Sequence, residues 1–284
     1  MECEMKTVKA FLRRHFARII DYLQIFFGKA DKTYAGEFET LQRVLEQINL
    51  KKHIKFVDIG AGDGYNMSIA WPLSKSYNAR GLLIDANVHD ISFAKSLYRR
   101  KNFGFYEGLI TPQNVVEVIR AHDFEDLNYL KIDIDSFDLE ILRSILKDGL
   151  LPAVFSIEIN EIVPPPVVLE CRFSEVHSYK TPFFGCSLQA AINLALEFDY
   201  YCHSLAFNNA FFVKNEIMRT LQSHVFLTAD EIYLQGYKSK NWKMLFPWNR
   251  NYEDWIESEP DTLIDLMKSH KDFDATRMDL YIHH

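Results

Sequence analysis

The sequence predicts a doubly wound α/β fold around a mostly parallel sheet, and three features predict it. From Lys55 onward, short apolar runs alternate with amphipathic stretches, the rhythm of successive β-α-β units. The first run passes into a glycine-rich turn, Asp58-Ile59-Gly60-Ala61-Gly62-Asp63-Gly64, where open α/β sheets bind ligands. Two later runs carry acids at their carboxyl ends, Asp133 with Asp135 and Glu158 with Asn160.

Strands are expected over Lys55–Ile59, 81–85, 103–106, 129–133 and 153–159, and helices over 65–74, 88–100, 112–121 and 137–147. The last of these helices sets Leu139, Leu142 and Leu146 on one line, with Ile141 and Ile145 beside it. Residues 6–27 read as a basic amphipathic helix, which would dock on the body of the protein or on a second subunit, or lie weakly on a membrane surface. A second helix is expected over 36–48. Three consecutive prolines, Pro164 to Pro166, open a stretch without regular pattern that reaches Phe184. A helix over 187–198 and an antiparallel hairpin follow, formed by 200–205 and 210–213 around Asn208-Asn209. The expected organisation is an N-terminal helical segment (1–50), a Rossmann-like core (51–215) and a helical or irregular C-terminal extension (216–284).

The chain has 284 residues, 48% of them apolar, and a formal net charge of −7. That balance suits a globular protein and argues against a general nucleic-acid binder, which needs a basic face. The four cysteines, Cys3, Cys171, Cys186 and Cys202, form no CxxC pair, as expected for a reducing compartment. No uncharged run is long enough to span a bilayer, and the acidic start with Arg13, Arg14 and Arg18 does not resemble a signal peptide. A cytoplasmic location is therefore expected.

Glycines in the first turn let the backbone bend sharply and let a ligand approach. A dinucleotide fingerprint would need a third glycine at Tyr65 or at Met67, depending on register. The pattern present, D-x-G-x-G-x-G, instead resembles the first motif of class I methyltransferases that bind S-adenosylmethionine. Asp85 closes the second strand, 21 residues after Gly64, where a carboxylate can accept both ribose hydroxyls. Its alternative role is an N-cap for the next helix, which Asn87 could also supply. The fourth strand carries Lys131-Ile132-Asp133-Ile134-Asp135-Ser136-Phe137-Asp138-Leu139-Glu140-Ile141-Leu142. This is similar to the K-I-D-x-[DE]-G-x-[DE]-x-x-x-L signature of FkbM-type methyltransferases, with Ser136 in place of the usual glycine. The resemblance spans roughly residues 55–214.

The resemblance implies S-adenosylmethionine as cofactor, held by Asp58, Gly60, Ala61, Gly62, Gly64, Asp85, Ala86, Gly108, Leu109 and Asp133. Gly108 and Leu109 would meet the adenine. It also implies O-methylation of a sugar, glycan or other small-molecule hydroxyl. A hydroxyl acceptor must lose a proton, to a base or through a metal. Asp135, Glu158 and His177 are the candidate bases. Asp133, Asp135 and Glu158 alternatively form an oxygen-only set suited to Mg²⁺. Acceptor specificity is expected in 161–184, around Pro164–Pro166 and Tyr179. The N- and C-terminal extensions, the latter with Trp242, Trp248 and Trp255, would serve as a homodimer interface or a lid. Three other classes stay open: a non-catalytic partner subunit that binds S-adenosylmethionine or a nucleotide, an NAD-dependent reductase, and a metal-dependent hydrolase.

Overall fold

The structure is a computed structural model that describes residues 18, 20–21, 33–50, 52–174, 181–221 and 225–283. The chain divides into two compact units, Met1–Lys32 and Thr33–His284. In the first, Arg18, Ile20 and Asp21 are helical, and Arg18 lies 3.8 Å from Asp21. The rest of the helix expected over 6–27 lies outside the described residues, as do the membrane and dimer roles assigned to it.

The second unit begins with α1 (Glu37–Gln47), entered through Gly36 in a left-handed conformation. Phe38, Leu41, Val44 and Leu45 form its buried face. Then come β1 (Lys55–Ile59), α2 (Ala70–Ser76), β2 (Arg80–Asp85), α3 (Val88–Leu97), β3 (Gly104–Glu107), α4 (Val115–Ala121), β4 (Tyr129–Ile132), α5 (Asp138–Lys147) and β5 (Val154–Glu158). After these lie β6 (Val167–Cys171), α6 (Leu188–Glu197), β7 (Tyr200–Ala206) and β8 (Asn209–Lys214). Short helical turns fill most of the remainder, up to the helix Pro260–Ser269 and β9 (Met278–Ile282).

Seven strands form one sheet in the order β3-β2-β1-β4-β5-β8-β7. Strands β1 to β5 run parallel, and β8 and β7 close the edge antiparallel. This is the expected Rossmann-like fold with its terminal hairpin. Alternation along the strands sends Val57, Ile59, Leu82, Ile84, Leu130, Ile132, Phe155 and Ile157 to one face, where they meet Val115, Ile119, Ile141, Ile145 and Leu194 of the helices. The intervening residues Phe56, Leu83, Tyr129 and Phe211 are also fully buried, so neither face is left to water. Asp58, Lys131 and Ser156 occupy that second face, side by side in register.

Strand register positions the site. Ile59 lies opposite both Ile84 and Ile132, and Ile132 lies opposite Ile157. The residues that follow, Gly60, Asp85, Asp133 and Glu158, therefore emerge along one edge of the sheet.

Three expectations are corrected. The helix expected from 65 starts only at Ala70, because the Asp63 carboxylate accepts from Tyr65 N at 2.8 Å and Asn66 N at 2.7 Å and holds the chain in a turn. The helix expected from 112 starts at Val115, since Thr111 and Asn114 bond each other reciprocally across a turn. The stretch after the prolines contains β6, which pairs antiparallel with β9. That partner lies more than a hundred residues downstream, so no local pattern announces it. No described helix is long and apolar enough to cross a membrane.

Candidate active site

A cavity of about 910 Å³ opens at the carboxyl edge of the sheet. Gly60, Ala61 and Gly62 form one side, Asp85 and Ala86 the second, Gly108 to Thr111 the third, and Asp133 to Phe137 the floor. Most of the residues expected to hold a cofactor thus line one space. The loop after β1 is tied to the neighbouring strand: Gly60 N and Ala61 N both donate to Ile84 O, at 2.9 and 3.0 Å. Gly62 N donates to Asp85 Oδ2 at 2.8 Å, and Asn87 N to Asp85 Oδ1 at 2.8 Å. Capping of α3 falls to Asn87, whose side chain accepts from His89 N. Asp85 is therefore not the cap, and it faces the cavity with acceptor capacity left on both oxygens.

Gly60 is obligatory where it stands. Its φ is +85°, and a Cβ there would lie 1.7 Å from the Asp133 carbonyl oxygen. Met67 and Leu109 also line the cavity, with 64% and 74% of their surfaces exposed. Apolar side chains this exposed in one cavity form a ready surface for a flat ring.

Two of the residues expected to hold a cofactor lie elsewhere. Gly64 packs against Leu83 and Tyr98. Asp58 is buried beneath the loop, 3.4 Å from Ser68 Oγ. Burial pushes Asp58 up to about 7, against the pull of the neighbouring Lys131 ammonium. Lys131, itself 2% exposed, lies 2.8 Å from Glu37 Oε1 of α1 and 3.2 Å from Asp133 Oδ2. One buried cation thus links the helix before the sheet, the glycine motif and the cavity floor.

The turn after β4 shows how Ser136 is tolerated. The left-handed residue is Asp135, at φ +54°, and Ser136 is not left-handed. Asp138 clamps the turn, accepting from Ile134 N at 2.8 Å and Ser136 N at 3.0 Å. Burial pushes Asp138 up to about 7, partly opposed by those two bonds.

Asp133, Asp135 and Glu158 each offer an oxygen within 4.8 Å of the other two. Glu158 accepts from Asn208 Nδ2 at 2.8 Å on one oxygen, while its other oxygen is buried and without a partner. Burial, followed by the charges of Asp133 and Asp135, raises the Glu158 carboxyl well above the ordinary range. A divalent cation fits this donor set, since it would both satisfy the orphaned oxygen and offset the repulsion. Asn160 turns away to bond the backbone of Pro182 and Phe184. His177 lies outside the described residues.

Sequence reasoning missed Asn66, Met67, Phe137, Phe173 and Ser174 on the cavity wall. Phe137 and Phe173 pack edge to face at 4.7 Å, a contact between distant segments that no local pattern signals.

No protein-family model matches the chain, and no curated protein matches it. Solved structures similar to it include a candidate caffeoyl-CoA O-methyltransferase from Staphylococcus aureus, at 16% identity and TM-score 0.43, covering 74% of this chain and 98% of that one. TrmK of M. capricolum in complex with S-adenosyl-homocysteine is similar at 13% identity and TM-score 0.40, covering 82% and 89%. An O-methyltransferase from Bacillus cereus, also in complex with S-adenosyl-homocysteine, is similar at 18% identity and TM-score 0.36, covering 56% and 70%. The overlaps are loose, and the reading of function rests on this chain's own residues.

Proposed function

We propose that this protein is an S-adenosylmethionine-dependent methyltransferase acting on a hydroxyl of a small molecule or glycan. The observation that carries the reading is the cavity walled by Gly60–Gly62, Asp85 and Gly108–Thr111 at the ends of parallel strands. In this reading Asp85 accepts the ribose hydroxyls, Met67 and Leu109 enclose the adenine, and Asp133 receives the ammonium of the methionine moiety. A dinucleotide suits the cavity less well. Its pyrophosphate requires a helix N-terminus directly after the glycine turn, whereas α2 begins only at Ala70.

Methyl transfer from a sulfonium is an in-line displacement in which the protein supplies alignment and keeps water out. A hydroxyl acceptor entering beside Asp135 would meet Glu158, whose raised affinity for a proton suits a general base. Asp133, Asp135 and Glu158 would hold Mg²⁺ if one is used, and such an ion would lower the pKa of a bound hydroxyl.

The test is calorimetric titration with S-adenosylhomocysteine, using the parent and Asp85→Ala. Saturable binding that weakens at least ~10-fold in the variant is expected from loss of a bidentate charge-assisted contact. No binding to the parent, with and without Mg²⁺, would overturn the reading.

A further inference from the structure

A second cavity, of about 460 Å³, adjoins the first through their shared residue Asp135. Its walls come largely from segments that carried no motif. The C-terminal segment contributes Phe246, Trp248, Asn249 and Tyr252, and the stretch after β5 contributes Glu161 and Ile162. Asp135, Glu158 and Glu161 bring three carboxylates to it, and no Lys, Arg or His is among its described lining residues.

Glu161 is the informative member. It is 4% exposed, and one carboxylate oxygen accepts from Asn249 Nδ2 at 2.6 Å. The other is buried with no hydrogen-bond partner. Asn249 is held in turn, its amide lying 2.9 Å from the hydroxyl of Tyr237. The Tyr233 hydroxyl donates to the Glu161 carbonyl at 2.7 Å. Asn249 thus holds the carboxylate, Tyr237 holds that amide and Tyr233 holds the Glu161 backbone, yet one carboxylate oxygen is left a partner short. Removing an acid from water without a full set of partners is costly, so such an oxygen marks the place of a donor that arrives with a ligand.

The surrounding rings narrow what that donor is. Phe246 and Trp248 meet at 5.3 Å with an interplanar angle of 64°, and Tyr252 lines the same space. Trp248 keeps 56% of its surface exposed at the cavity. A carboxylate among aromatic walls favours an ammonium, which gains from both the charge and the ring faces. An anionic group would face three carboxylates, and an ammonium, unlike a neutral hydroxyl, would favour the ionised form of the buried Glu161.

We infer that this cavity binds the methyl acceptor and that the acceptor carries an ammonium group, seated on Glu161 between Trp248 and Tyr252. The inference rests on the methyltransferase reading, because it is Asp135 that joins this cavity to the cofactor space. The hydroxyl to be methylated would lie toward Asp135 and Glu158, with the ammonium at the far end.

The test titrates the full chain, saturated with S-adenosylhomocysteine, with two amines and their neutral counterparts: glucosamine and ethanolamine against glucose and ethylene glycol. The amines should bind at least ~10-fold more tightly than the neutral probes, as a paired, partly desolvated charge requires. Glu161→Gln should erase that preference. Trp248→Ala, which removes an exposed ring and leaves the fold intact, should weaken the amines alone. S-adenosylhomocysteine affinity checks that each variant is folded. If S-adenosylhomocysteine fails to bind the parent, the methyltransferase reading falls. If it binds and the amines show no saturable binding or no preference, only this inference falls. A preference that survives both substitutions would also overturn it.

Discussion

Single residues of this protein are held by contacts on more than one side. Gly60 must be glycine because the Asp133 carbonyl occupies the space of a Cβ, 1.7 Å away. Gly60→Ala would force β1 and β4 apart at their carboxyl ends. Its expected effects are a loss of S-adenosylhomocysteine binding and a drop in the thermal midpoint, both readable in one thermal-shift series. By contrast, Gly62→Ala meets no atom within 4 Å and strains only the left-handed backbone, so it should retain most of the thermal midpoint. Of the two glycines, the sequence marks both as motif residues, and only the neighbouring strand separates their roles. Ser136 makes the converse point. The FkbM-type signature that this stretch resembles has glycine there, but in this chain the left-handed conformation falls on Asp135, and Asp138 braces the turn.

At the scale of elements, Lys131 couples α1 to the sheet. It lies between Glu37 of α1, Asp58 of β1 and Asp133 at the end of β4. Lys131→Met leaves buried acids without a counter-charge, and the expected loss is about 3–5 kcal/mol by denaturant unfolding. Glu37→Leu combined with Lys131→Met should recover part of that loss, since it removes the stranded Glu37 carboxylate while Asp58 and Asp133 remain. A double variant as unstable as the single one would show that the loss does not come from the stranded Glu37 carboxylate. β6 and β9 carry a different lesson. Their pairing joins Val167–Cys171 to Met278–Ile282, and it turns an expected irregular loop into ordered backbone beside Phe173 and Phe183. Local sequence cannot reveal a two-stranded sheet whose strands are so far apart, because each strand becomes stable only through the other.

Across the whole molecule, acids are buried well beyond what the formal charge of −7 suggests. Asp58, Asp138 and Glu161 are each pushed up to about 7, burial being the largest cause in each case. In the unfolded chain these groups lose their protons near pH 4. Between there and about pH 7 the folded state binds more protons than the unfolded one, so stability falls as pH rises through that window. Above it, the loss is complete and constant. The urea midpoint of the ligand-free protein should therefore be lower at pH 8 than at pH 5, and a higher midpoint at pH 8 would contradict the burial of these acids. A ligand or cation that pairs with the cluster should restore part of the difference.

The sequence by itself determined the sheet and most of the residues that line the first cavity at its carboxyl edge. Strand runs, the glycine turn and acids at strand ends are local patterns, and strand register carries them to one edge without further help. Asp85 and Asp133 were legible for that reason. The tertiary structure alone decided that Asp58 lies beneath the loop and not in the cavity, that β6 finds β9, and that Phe246, Trp248, Asn249 and Tyr252 return to wall a second cavity beside Glu161. Those outcomes depend on pairings between segments far apart in the chain, where burial and charge are set by partners that no local window contains.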